Sequence, residues 1–333
     1  MVVEKIRVSI GSASVLGLKN TKLDVAPTTC YVMTYKKGYC SGNCGFCPQS
    51  RSSKTSAEKL SRINWPVFKI KAFLTKLKYV SALNKFKRIC IQTLNYPKNF
   101  KDLKEIISGI KKVSDIPISI AIPPLEKEQL EYLKLIGVQR VGIALDGATE
   151  EIFEKIKGKG VKGPYSWENH FKALKTTLKV FYEGNVSTHL IVGLGETTKE
   201  IIKRINQLNE MQILPGLFAF TPVKGTKLEN MEKPPILKFR KIQLARHLLL
   251  NKNKKIKDFT FNSKGQLINF NLNKNQLWNI IDKDQEAFMT SGCPDCNRPY
   301  YTSRPGGPMY NYPRPLKKEE KEIIYKNLTP FMN

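Results

Sequence analysis

Residues 39–49 run Tyr39-Cys40-Ser41-Gly42-Asn43-Cys44-Gly45-Phe46-Cys47-Pro48-Gln49. Three cysteines at CxxxCxxC spacing share one short loop. Three thiolates that close together can hold three corners of an iron–sulfur cube and leave the fourth iron without a protein ligand. Iron–sulfur clusters are usually closed by four thiolates, and an open coordination position belongs to catalytic metal sites rather than structural ones. Other readings compete. A structural zinc takes four ligands, commonly from two CxxC-type pairs, and the fourth here would have to be Cys30, Cys90 or a distant residue. A disulfide needs an oxidising compartment, and the thiols can also simply stay reduced. The pattern downstream of the loop favours the open cluster.

Working outward, the loop follows the apolar run Tyr31–Thr34. Further β-branched runs occur at Arg88–Thr93, Ile118–Ile122, Val138–Leu145, Val186–Val192 and Leu217–Thr221. Between them lie stretches with helical spacing: Pro66–Leu83, Phe100–Val113, Glu126–Leu135, Trp167–Tyr182 and Thr198–Leu214. Strands alternating with helices predict βαβ units and a parallel sheet in an α/β fold. Six units fit, which makes a partial barrel; a closed eight-stranded one needs more. The functional loops of such barrels lie at the C-terminal ends of the strands. The cysteine loop and the run Gly193-Leu-Gly195-Glu196-Thr-Thr, which leaves the fifth strand, therefore belong on one face. The expected division is an N-terminal extension (1–29), the barrel (30–230) and a C-terminal extension (231–333) packed on it. That extension predicts helices over Pro234–Leu250, Asn275–Phe288 and Lys317–Leu328. It also predicts a β-like pair, Phe259–Asn262 and Leu267–Asn271, and a Pro- and Gly-rich loop, Ser291–Pro315.

The chain has 333 residues with 56 Lys and Arg against 28 Asp and Glu, a net charge of +28. Such an excess favours anionic partners, either nucleic acid or an acidic protein. The basic residues are spread along the chain with no Arg-rich arm, so RNA is not the favoured partner. The N-terminal run carries no apolar segment of signal-peptide length, and no stretch is long enough to span a bilayer. These features point to a cytoplasmic, reducing setting with no membrane partner.

With CxxxCxxC after the first strand and Phe46 directly before the last cysteine, the sequence resembles the radical S-adenosylmethionine (radical SAM) superfamily. The resemblance implies a (β/α)6 partial TIM-type barrel and a [4Fe–4S] cluster on Cys40, Cys44 and Cys47. The open iron would chelate S-adenosylmethionine, whose reductive cleavage yields a radical that abstracts hydrogen from an unactivated carbon. The match is similar to biotin synthase at Cys47-Pro-Gln-Ser50, Arg88-Ile-Cys90, Ile191-Val-Gly-Leu-Gly-Glu-Thr197 and Val223-Lys-Gly-Thr226. It implies that the Phe46 backbone meets the adenine, that Asp146 binds the ribose hydroxyls, and that Ile191 and Gly193 line the adenine pocket. An ordinary turn at Asp146-Gly147 and core packing of Ile191 are the bland alternatives. Glu196 is either a cofactor-side contact or a charge at a helix N-terminus.

The departures from biotin synthase matter. The third and fifth strands lack its further cysteine ligands, and its C-terminal arginine ligand is missing near Gly265-Gln266. The chain carries instead Cys293-Pro-Asp-Cys296, followed by Asn-Arg-Pro-Tyr-Tyr and Arg304-Pro-Gly-Gly. In this it resembles the archaeal-type two-subunit lipoyl synthases. That likeness implies sulfur insertion into an octanoyl chain on a carrier protein or domain, with a second Fe–S cluster as sulfur donor. It also implies a related radical SAM partner subunit and an electron donor. Cys293 and Cys296 are the first candidate ligands for the second cluster, with a zinc knuckle as the alternative. Cys90 is the third candidate, against a buried core cysteine. Ser303 or Arg304 is a candidate fourth ligand, and Cys30 is expected to be structural. His189 is expected to face inward if Ser187 does. No catalytic acid or base stands out. Two other functions remain open: a radical SAM enzyme acting on tRNA or on a small molecule as biotin synthase does, and a non-catalytic, metal-stabilised binding protein.

Overall fold

The computed structural model describes residues 3–304 and 306–333. Met1 and Val2 of the N-terminal extension and Pro305 of the C-terminal loop lie outside the described residues. Eight strands form the central sheet: β1 (Lys5–Val8), β2 (Thr29–Thr34), β5 (Val67–Lys69), β6 (Arg88–Gln92), β7 (Ile118–Ala121), β8 (Val138–Gly142), β9 (Val186–Val192) and β10 (Leu214–Ala219). Their spatial order is β10-β9-β8-β7-β6-β2-β1-β5. From β2 to β10 every neighbouring pair is parallel. All six strands expected from the sequence are there. Two are added: β1, from the segment read as an extension, and β5, where a helix was expected to begin at Pro66. β1 pairs antiparallel with β2 on one side and with β5 on the other. A small hairpin, β3 (Lys59–Leu60) and β4 (Ile63–Asn64), stands beside them.

Helices cover the outer face: α2 (Ile70–Ala82), α3 (Asn99–Lys111), α4 (Lys127–Leu135), α5 (Glu150–Ile156), α6 (Trp167–Phe181) and α7 (Thr198–Glu210), after a short α1 (Ile10–Val15). Alternation along each strand sends one set of side chains under the helices. Ile89 and Ile91 of β6 and Leu190 and Val192 of β9 are fully buried there, against Ile106, Ile107 and Ile110 of α3 and Ile201, Ile202 and Ile205 of α7. The other set, including Cys90 and Gln92 of β6 and Ser187, His189 and Ile191 of β9, lines an internal cavity.

The sheet ends at β10 and β5 without joining, and the C-terminal segment fills the opening. Leu217 N–H of β10 donates to Ser291 Oγ (2.8 Å), and Asn311 Nδ2 donates to Leu217 O (3.1 Å). On the far side, Thr28 N–H donates to Asn297 Oδ1 (3.0 Å), and Asn297 Nδ2 donates to Ala26 O (2.9 Å). This loop has almost no secondary structure, so its carbonyls need outside donors. Two come from α8 (Ile236–Asn251): Arg240 Nη1 reaches Tyr310 O (2.6 Å) and Gln243 Nε2 the same oxygen (3.0 Å). The strands β11 (Thr260–Phe261) and β12 (Leu267–Asn269) and the helices α9 (Lys274–Lys283) and α10 (Lys318–Leu328) complete the chain. No helix among the described residues is long and apolar enough to cross a membrane.

Candidate active site

The cysteine loop leaves the C-terminal end of β2 and is tied down by its backbone. Cys40 N–H donates to Gln49 O (2.8 Å), Ser41 N–H to Asn95 O (2.7 Å) and Gly45 N–H to Ile156 O (2.7 Å). Cys40 Sγ accepts from the N–H groups of Gly42 (3.3 Å) and Asn95 (3.1 Å), an arrangement that suits a thiolate. Burial pushes the Cys44 thiol up to about 12; Lys157 opposes the rise, while Asp146 and Cys40 add to it. Burial, then Cys44, raises Cys47 well above the ordinary thiol range. Unliganded, these two are protonated thiols, and a bound metal must displace their protons. Phe46 and Ile191 pack into one apolar cluster with Leu194 and Phe220, beside the loop.

Asp146 holds a left-handed backbone (φ 65°) that a short polar side chain tolerates. Its N–H donates to His189 O (2.8 Å) and its carbonyl accepts from Ile191 N–H (2.9 Å), which locks it to β9. Its carboxylate is occupied: Lys157 Nζ lies 2.7 Å from Oδ2, in a nearly buried pair that lines the cavity beside Cys44. Nothing in the sequence around Lys157 signals this role.

Gly193 stands elsewhere. With φ +103°, it presses on Pro234, and an added Cβ would lie 2.8 Å from Pro234 Cδ. It is absent from the cavity lining. Its N–H and that of Leu194 donate to the two oxygens of Glu196 (2.8 and 2.9 Å), a buried carboxylate paired with Lys238 at 2.8 Å. Glu196 is thus an internal clamp on this turn, while the first turn of α7 is capped by Thr197 and Glu200.

A second cysteine set faces the same cavity. Cys90 of β6 stands in register with Tyr31 of β2 and Ser119 of β7. Cys293 and Cys296 come from the C-terminal segment, in a turn closed by Cys296 N–H to Cys293 O (3.1 Å). Burial raises Cys90 to about 12, helped by Cys293 and Cys296. Tyr31 Oη lies 3.2 Å from Cys296 Sγ and accepts from Arg298 N–H (3.0 Å). Burial pulls the Arg298 guanidinium down, but Cys296, Tyr31 and Cys90 hold it above its ordinary value. Its head lies over the Phe218 ring at 4.1 Å. Neither Ser303 nor Arg304 lines the cavity: Ser303 Oγ accepts from Tyr310 N–H (3.0 Å) and Arg304 is exposed. The arginine beside the second set is Arg298. Cys30 is sealed in the core, where burial raises its thiol. His189 lines the cavity with Ser187, and burial, Arg298 and Lys157 lower it to about 3, so it is neutral.

The cavity between the two sets holds about 450 Å³. Tyr31, Met33, Trp65, Leu94 and Tyr96 form an apolar cluster that touches Cys40 on one side and Cys90 and Cys296 on the other. Tyr301 packs against the same cluster and forms an edge contact with Phe218, 5.6 Å between centroids. Among the described residues, no three His, Cys, Asp or Glu side chains converge on a point suited to a single ion.

The family profile of the Radical SAM superfamily matches residues 36–208. The chain belongs to the radical SAM superfamily. It is 24% identical over 234 residues to a biotin synthase of Methanococcus aeolicus, a stretch that covers 67% of each chain. A biotin synthase of Clostridium tetani is 28% identical over 214 residues, 63% of this chain and 62% of the relative. One of Clostridium acetobutylicum is 26% identical over 206 residues and is matched over 59% of its length. This chain thus spans three fifths to two thirds of these relatives. Among solved structures, methylornithine synthase (PylB) has a TM-score of 0.52 at 16% identity, covering 66% of this chain and 61% of that one. The hydrogenase maturase HydG of Carboxydothermus hydrogenoformans has 0.52 at 19%, covering 67% and 51%. These two likenesses show the fold.

The superfamily implies a [4Fe–4S] cluster and S-adenosylmethionine, and the residues present fit both. Three thiols of one loop open onto a cavity, with backbone N–H donors on one sulfur. An apolar wall from Phe46 and Ile191 and a cationic side chain, Lys157, stand beside them.

Proposed function

We propose that this radical SAM protein is a sulfur-insertion enzyme, one subunit of a two-protein lipoyl synthase. In this reading it adds sulfur to a protein-bound octanoyl-lysine, with a second Fe–S cluster as sulfur donor, an electron donor, and a related radical SAM chain as partner. The observation that carries the proposal is the second cysteine set, Cys90, Cys293 and Cys296, on the same cavity as Cys40, Cys44 and Cys47. The relatives named biotin synthase support sulfur insertion as the class of chemistry. A biotin-type second cluster is disfavoured, because the inward positions of β7 and β9 carry Ser119 and Ser187.

When bound, the two groups supply hydrogen abstraction from an unactivated carbon at the first cysteine set and inorganic sulfide at the second. The chain's own part is placement and exclusion of water. Cys40, Cys44 and Cys47 hold the first cluster, and Cys90, Cys293 and Cys296 hold the second. Phe46, Ile191 and the Asp146–Lys157 pair shape the pocket of the sulfonium cofactor. The aromatic cluster of Tyr31, Trp65 and Tyr301 keeps the space between them apolar, as an alkyl chain and a reactive carbon require.

The deciding experiment is mass spectrometry of an octanoyl-lysyl peptide incubated with reconstituted protein, reductant and S-adenosylmethionine, with and without a partner subunit. A mass gain of sulfur is expected. Cofactor cleavage stimulated by RNA and not by the peptide would transfer the reading to tRNA modification.

A further inference from the structure

Three cations from distant parts of the chain meet at the edge of the cavity wall. Arg62 sits in the turn of the β3–β4 hairpin, Lys233 in the run before α8, and Arg304 within the Pro- and Gly-rich loop that precedes α10. A chain of hydrogen bonds brings them together. Arg62 Nη1 donates to Tyr300 O (2.9 Å) and to Ser303 O, next to Arg304. Ser303 Oγ accepts from Tyr310 N–H (3.0 Å), and Tyr310 Oη donates to Pro234 O (2.7 Å), next to Lys233. Burial and then Arg304 lower Arg62; burial and then Arg304 and Arg62 lower Lys233. None of the three joins an ion pair found among the described residues, and the neighbouring Glu232 is exposed and pairs with none of them. Ser61 and Ile63, which flank Arg62, and Tyr301 and Thr302, which precede Ser303 and Arg304, line the cavity.

Like charges held together without a counter-charge raise the energy of the folded chain, and an external anion relieves it. We propose that Arg62, Lys233 and Arg304 form a docking rim for an acidic protein surface, which presents a substrate side chain to the cavity. The identity of that side chain rests on the sulfur-insertion reading; the rim does not. Two observations favour protein over RNA. Single-stranded RNA uses exposed aromatic faces for stacking, but among the described residues the exposed aromatic side chains, Tyr79, Tyr132, Tyr182 and Trp278, lie on α2, on α4, at the end of α6 and on α9, not on this patch. Arg62 is held by backbone carbonyls, which suits a fixed array of carboxylates more than a mobile strand.

The test uses the reconstituted full chain and the variant K233E/R304E. Arg62 is kept because it supports the backbone, and unchanged iron content and circular dichroism verify folding. Fluorescence anisotropy at low salt follows four probes: a lysyl peptide flanked by Asp and Glu, the same peptide octanoylated, an octanoyl-lysyl peptide with neutral flanks, and an RNA 12-mer. Both acidic peptides are expected to lose about tenfold or more in affinity in the variant. The neutral peptide should not change, and wild-type binding of the acidic peptides should fall as salt is raised. The proposal is overturned if the acidic peptides fail to bind the wild type, if they bind both proteins alike, or if only RNA binding is lost. Octanoylation that adds nothing to wild-type binding sinks the cargo reading and leaves the rim standing.

Discussion

Replacing Asp146 with Asn removes the charge that holds the Lys157 ammonium in the cavity wall. The pair is 2.7 Å apart, with side chains only 7% (Lys157) and 11% (Asp146) exposed. Breaking one partner of a buried pair costs about 3–5 kcal/mol, because the other charge stays desolvated. Asn tolerates the left-handed backbone and keeps one acceptor, and Lys157 keeps its bond to Ala144 O, so the low end applies: about 3 kcal/mol. K157M strands a carboxylate that cavity water can partly solvate, about 2 kcal/mol on the same scale. Removing both charges leaves no stranded ion, so the double variant is expected to lose no more than either single one, a coupling of about 3 kcal/mol or more. Urea unfolding of the four proteins measures this directly. Strict additivity would refute the claim that Lys157 is the partner of Asp146. The cycle also separates support from ligand contact. If Asp146 meets the cofactor, the double variant regains stability but not affinity for S-adenosylmethionine.

Other consequences are simpler to check. Wild-type protein reconstituted with iron and sulfide is expected to hold about eight irons, and C90S or C44S about four each, by iron assay. G193A is expected to lose about 2 kcal/mol in the same unfolding assay, because it places a Cβ against Pro234 at a strained φ. Burial lowers His170 to about 3, with Lys157 adding to it and the Ser166 carbonyl opposing it. Its folded value lies below its unfolded one, so its contribution is complete above about pH 6.5 and is lost as pH falls toward 3. H170Q should therefore show a shallower fall in unfolding midpoint between pH 6.5 and 5 than wild type; equal slopes would contradict the assignment.

The six parallel strands were legible because a sheet covered by helices turns its strands into short apolar runs, and β6, β7 and β9 are such runs. The strands that were not legible are short and partly solvated. β1 begins at an exposed lysine, and β5 has three residues, none of them buried; the pairing of β1 with β2 and of β5 with β1, not local propensity, makes them strands. Helix α5 went unseen, although Thr149-Glu150-Glu151 is a helix-start signal, with the Thr149 hydroxyl accepting from Ile152 N–H. The site divides along the same line. Spacing within one loop displayed Cys40, Cys44 and Cys47, because three thiols at fixed offsets have few other uses. The placement of Cys90 beside Cys293 and Cys296 depends on a C-terminal segment crossing the open edge of the sheet, and no local pattern encodes a crossing. Lys157, Arg298 and Tyr301 belong to that second kind: each is ordinary in sequence and acquires its role only from what the fold sets against it. Gly193 is the converse. Its motif marked a ligand pocket, whereas the backbone there serves Glu196 and Pro234, so the same glycine pattern that allows a ligand to approach was used to let one part of the chain approach another.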